Sequence, residues 1–181
     1  MRSNKKLSAK SLAKHHVLIL DLAKEYPVNF VVELKIGDAA PDFSLIDEKG
    51  FPVRLKDFLG SKKVVLYFYP KDFTPGCTKE ACSFRDEYKA FEERGAVVIG
   101  VSVDNVESHA KFSKKYALPF ALLSDNKKEV AKQYGVLGIG GMLTRRVTFI
   151  ISKEGKISAI FPKVDVKQHS QEVLKAISSL G

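Results

Sequence analysis

Cysteine is scarce in this chain of 181 residues: there are two, Cys77 and Cys82. That excludes a disulfide-dense secreted scaffold and leaves either one redox pair or two inert buried thiols. No stretch approaches the ~20 apolar residues of a membrane helix, so no spanning segment is expected. Internal repeats and low-complexity tracts are missing. Acidic residues are absent from positions 1–16, which hold five Lys or Arg and three Ser. The apolar run after them, residues 17–22, is interrupted by Asp21. A secretory signal needs about 7–15 uninterrupted apolar residues, so a cleaved signal is not expected.

What is present fits one globular domain. The apolar share is 45%, and a chain of this size buries roughly 70% of its unfolded surface without metal or disulfide staples. The net charge is +9. Residues 1–35 carry seven basic and three acidic side chains, and residues 36–181 carry 23 and 18. A basic leader thus precedes a mildly basic body. Nucleic-acid binders show a dense basic stripe and a reading motif; neither is found, so the charge reads as a solvated surface with no nucleic-acid or membrane partner. Residues 1–33 are a basic extension. They resemble a transit peptide loosely, or they are dispensable, with a short helix over residues 11–26 ended by Pro27. The cytoplasm is the expected location and an organelle the alternative.

The body, residues 34–181, opens with a hairpin: residues 42–46, a turn ending in Gly50, and residues 51–55. Residues 63–69 and 96–103 are near-continuous apolar runs, as expected of central strands buried on both faces. Between them, Ala81, Phe84, Tyr88 and Phe91 recur at spacings of three and four, which predicts a helix over residues 76–94. Further helices are expected at 108–116, 127–134 (capped by Gly135) and 166–180. Further strands are expected at 120–123, 146–151 and 156–161. The order is hairpin, then β-α-β-α-β-α, then an antiparallel pair and a closing helix. It implies an α/β, thioredoxin-like fold: a central mixed β-sheet flanked by helices, with an N-terminal β-hairpin.

Cys77 follows the first central strand and a stiff loop containing Pro70 and Pro75, and it lies in the first turn of the long helix. Ligands bind in such sheets at the carboxyl ends of the strands. A helix N-terminus offers unpaired N–H groups and partial positive charge, which favour thiolate over thiol. Free thiols ionise near ~8.5, and helix N-termini and nearby cations bring them to about 3.5–7.5. Cys77 therefore reads as an activated nucleophile rather than a structural thiol. Thr74, three residues earlier, brings a hydroxyl that can donate and accept toward sulfur and substrate, or cap the helix. Pro70 ends the strand and can shield the site.

Cys82 lies five residues beyond Cys77. In an ideal helix their side chains point ~140° apart and their Cα atoms lie about 8.7 Å apart, beyond the ~7 Å reach of a disulfide. Either Cys82 is a core residue or the first turns unwind during turnover. Arg146 opens a strand at the expected crevice and can stabilise thiolate and developing oxyanion charge; the adjacent Arg145 points the other way and is the solvated alternative. Gly138, Gly140 and Gly141 do not complete a G-x-G-x-x-G pattern and read as a flexible loop. His15, His16, His109 and His169 lack metal-ligand spacing and read as surface residues.

These residues resemble a peroxiredoxin of the bacterioferritin-comigratory, or Q-type, subfamily. Pro70, Thr74 and Cys77 meet its P-x-x-x-T-x-x-C motif, the run FYPKDFTPGCTKEACSFRDEY (residues 68–88) is similar throughout, and Arg146 matches its arginine, two residues before Thr148-Phe149. The similarity spans about residues 34–180. It implies that Cys77 attacks peroxide and becomes a sulfenic acid, and that Cys82 resolves it as an intramolecular disulfide. It also implies recycling by thioredoxin or a similar dithiol donor. Thr74 and Arg146 would orient the peroxide and Pro70 would limit water. No metal or organic cofactor is implied, and a monomer is. The stretch Gly138–Leu143 departs from the subfamily, being shorter and richer in glycine. Two other classes compete: a dithiol–disulfide oxidoreductase, which needs Cys-x-x-Cys, and a basic binding or holdase module resting on charge alone.

Overall fold

The apolar runs at 63–69 and 96–103 form the centre of the sheet. The computed structural model describes residues 33–180; the expected helix at 11–26, with His15 and His16, lies outside them. In chain order the elements are β1 (Ser44–Asp47), β2 (Pro52–Arg54), β3 (Lys63–Phe68), α1 (Pro75–Asp86), α2 (Tyr88–Glu93), β4 (Ala96–Ser102), α3 (Val106–Tyr116), β5 (Ala121–Ser124), α4 (Glu129–Gln133), β6 (Val147–Ile151), β7 (Ile157–Phe161) and α5 (His169–Ser179). Seven strands make one sheet in the order β2-β1-β5-β4-β3-β6-β7. β3, β4 and β5 are parallel neighbours, and the pairs outside them are antiparallel. This is the expected mixed sheet.

Side chains alternate across a strand, so β3 feeds two cores. Val65, Tyr67 and Tyr69 pack on one face with Phe84 of α1, Phe112 of α3 and Val173 of α5. Val64, Leu66 and Phe68 pack on the other with Val130 and Tyr134 at α4. Both faces are covered, which is why β3 and β4 read as unbroken apolar runs. Gly100 of β4 is dictated by packing: a Cβ there would lie 2.7 Å from Tyr67 and Leu122.

The single helix expected over 76–94 is two, separated at Glu87. Phe84 and Phe91 still share one buried face across the break, with ring centroids 5.7 Å apart. Strands and helices are mostly shorter than expected by one to three residues, and Arg146 stands just before β6 rather than within it. Two expectations are overturned: His109 and His169 are fully buried, not on the surface. Each is accommodated by partners distant in the chain. His109 lies 2.9 Å from Asp72 and 3.2 Å from the Leu123 carbonyl. His169 lies 2.7 Å from the Thr148 hydroxyl.

Candidate active site

At the end of β3 the chain passes through Pro70–Thr74 and enters α1 with Pro75 as its first residue. A proline fits there because its missing N–H would be unpaired and its φ is already helical. Cys77 follows in the first turn and is 1% exposed. Arg146, brought from the start of β6, donates from Nη2 to Cys77 Sγ at 3.1 Å. Its Nη1 donates to Glu80 Oε2. One planar guanidinium thus bridges the sulfur and a carboxylate one helical turn further on, a two-pronged grip that lysine lacks. Gly76 leaves room for it, since a Cβ there would stand 3.3 Å from Nη2.

The electrostatics follow from burial. Desolvation pushes the Glu80 carboxyl up to about 7, although the Arg146 charge and hydrogen bond pull the other way. Burial opposes the Arg146 charge, but Glu80 and Cys77 together outweigh it, so its ionisation moves above the ordinary value. Burial, reinforced by the Arg146 charge, pushes His169 down to about 4 and keeps it neutral. A positive charge held against the sulfur stabilises any oxyanion that develops there.

The structure brings Cys77 and Arg146 together and separates the two candidate arginines. Arg145 is exposed and donates to the Gly135 carbonyl at 2.6 Å. Thr74 stands at the N-cap position, but its side chain does not cap; the hydroxyl donates to the Lys71 carbonyl at 3.1 Å. Pro70 is half-buried, two residues beyond the end of β3. Cys82 is half-buried, belongs to neither core cluster and is a free thiol, as is Cys77. An unbroken α1 spans both. Before Arg146, Met142 is 71% and Leu143 42% exposed, while Thr144 is buried and its hydroxyl donates to the Tyr69 carbonyl.

Glu80 was not anticipated. Its signal was faint: a glutamate three residues after Cys77, where i and i+3 share a helix face. Ser108 and Thr144 carried no signal, because their partners, Asp72 and the Tyr69 carbonyl, lie far along the chain.

The AhpC/TSA family pattern matches residues 36–160. The chain belongs to the AhpC/TSA family. Within that family it is 48% identical over 149 residues to a putative peroxiredoxin bcp of Coxiella burnetii, covering 79% of this chain and 98% of that one. A solved structure of peroxidoxin BcpB from Mycobacterium tuberculosis superposes with a TM-score of 0.77 at 39% identity, over 82% of this chain and 99% of that one. The bacterioferritin comigratory protein of Xanthomonas campestris, whose structures address alkyl peroxide reduction, matches with a TM-score of 0.74 at 33% identity, over 81% and 97%. This member of the family is therefore a peroxiredoxin of the Bcp/Q type, a thiol peroxidase acting on peroxides with a thioredoxin-type reductant. Among the described residues no helix is long and apolar enough to cross a membrane.

Proposed function

We propose that Cys77 is the sulfur that attacks the peroxide. The observation that carries this is the Arg146 Nη2 hydrogen bond to Cys77 Sγ at 3.1 Å in the first turn of α1. The thiolate attacks one oxygen of R–O–O–H; the S–O bond forms as the O–O bond breaks. The departing alkoxide takes a proton and leaves as alcohol, or as water from hydrogen peroxide. Cys77 is left as a sulfenic acid. Arg146 stabilises charge on sulfur and on the leaving oxygen, and Glu80 holds the guanidinium in place. Thr74 orients the peroxide, and Pro70 limits water around the sulfur. The Cys82 thiol then attacks the Cys77 sulfur, expelling water and forming a disulfide. A dithiol donor of the thioredoxin kind reduces that bond by exchange, becoming oxidised itself.

Organic hydroperoxides and hydrogen peroxide are both substrates in this reading. The protein acts as a monomer in this reading. A pair that must return to free thiols suits a reducing compartment such as the cytoplasm. Residues 34–181 form the catalytic domain and residues 1–33 an extension, supported by the single sheet that joins the described strands.

The chain lacks tryptophan, so the test uses rapid quenching, alkylation of remaining thiols and mass spectrometry. Cys77→Ser abolishes the first oxidation. Cys82→Ser permits one turnover and then stalls with thioredoxin. A Cys77→Ser enzyme that still consumes peroxide would overturn the assignment, and full recycling by Cys82→Ser would make this a one-cysteine peroxidase.

A further inference from the structure

Below the loop of residues 70–74 lies a polar cluster to which the peroxidase chemistry assigns no task. Asp72 is buried. Its carboxylate accepts from the Tyr69 hydroxyl at 2.8 Å and the Ser108 hydroxyl at 2.7 Å, and His109 Nδ1 lies 2.9 Å away. The backbone N–H of Asp72 donates to Asp104 Oδ2 at 3.0 Å. That same oxygen accepts from the Ser102 hydroxyl at 2.6 Å, and the Asp104 carbonyl accepts from the Ser124 hydroxyl at 2.6 Å. Asp104 is thus pinned to the last residues of β4 and β5, in the rigid centre of the sheet.

The Asp72 N–H and the Lys71 C=O belong to one planar peptide unit. Its N–H end is held by Asp104. Its C=O end accepts the Thr74 hydroxyl at 3.1 Å. A carboxylate on the N–H polarises the unit and makes its carbonyl a stronger acceptor. With its proton committed to Lys71, Thr74 Oγ1 has only lone pairs left to offer. It therefore meets a peroxide as the acceptor of the peroxide's own O–H.

We propose that Asp104 is a positioning residue for the peroxidase reaction: through the Lys71–Asp72 peptide it sets the direction of the Thr74 hydroxyl. It touches no reacting atom. The inference rests on the reading of Thr74 as the peroxide-orienting hydroxyl.

A double-mutant cycle tests it, read as the second-order rate of Cys77 oxidation by hydrogen peroxide. Removing an orienting hydrogen bond is expected to cost about tenfold in Asp104→Ala. Thr74→Val is expected to cost at least as much. In the Thr74→Val background, Asp104→Ala costs less than about twofold more, because nothing remains to be oriented. A merely structural role predicts losses that multiply, and multiplied losses overturn the proposal. So does an Asp104→Ala rate within twofold of the parent while Thr74→Val is slow. If Thr74→Val leaves the rate unchanged, the Thr74 reading falls and this inference falls with it. Should Asp104→Ala not fold, Asp104→Asn serves: its neutral acceptor gives about a threefold loss that disappears with Thr74→Val. A threefold loss that persists there, or no loss, counts against the proposal.

Discussion

Joining Cys77 to Cys82 requires α1 to open, and that requirement can be measured at Lys79. The helix runs unbroken from Pro75 to Asp86. Five residues of ideal helix place the two Cα atoms about 8.7 Å apart, beyond the ~7 Å a disulfide spans. Lys79 lies between the cysteines and is exposed, so its replacement changes helix stability while leaving the core alone. Ala and Gly at this position carry the same charge but differ by about 0.8–1.0 kcal/mol in helix stability. If α1 is open when the S–S bond forms, that whole difference comes off the barrier. Lys79→Gly then forms the disulfide about four- to fivefold faster than Lys79→Ala, at ~1.4 kcal/mol per tenfold. The first oxidation uses the closed helix and does not accelerate. Rapid quenching after one equivalent of peroxide, with thiol counting by mass spectrometry, separates the two steps. Equal rates of disulfide formation in the two variants would refute the unwinding argument, and a slower Gly variant would reverse it.

Two further outcomes follow from the buried charges. Arg146→Leu strands Glu80 without its partner and is expected to cost about 3 kcal/mol in urea unfolding; adding Glu80→Gln should recover most of it, and no recovery would show that the pair does not carry the loss. His169 ionises near 4 when folded and near 6.5 in its ordinary state. The unfolded chain therefore binds the extra proton first: the His169 contribution is full above pH 6.5 and falls by about 3 kcal/mol as the pH drops toward 4, while Glu80, raised to about 7, acts in the opposite direction over the same range. His169→Gln should therefore lose less stability than the parent between pH 6.5 and 4, and an unchanged slope would locate the acid sensitivity elsewhere.

Much of the architecture was readable because its causes are local. Two unbroken apolar runs announced strands buried on both faces, and Gly50 and Gly135 marked a turn and a helix end, both with positive φ. Element ends were less legible, since Glu87 breaks a helix whose apolar spacing runs straight through it. Histidines at 109 and 169 were misread for a related reason. An isolated histidine looks exposed in a sequence, whereas here its ring finds Asp72 or Thr148 across the fold.

Chain order alone placed Cys77 after a central strand and in the first turn of a helix, because strand, proline-bearing loop and helix start are neighbours in the chain. It also fixed the angular offset of Cys82, a consequence of helical pitch. Folding decided which arginine meets the sulfur. Arg145 and Arg146 differ by one position and both precede β6, yet only Arg146 reaches the sulfur, 69 residues away, while Arg145 turns to the Gly135 carbonyl. The buried Glu80 that steadies it, and the Asp104–Asp72 support beneath Thr74, likewise exist only where separate elements meet. Hydrogen bonds and desolvation depend on distances in space, and those distances are set by the packed sheet.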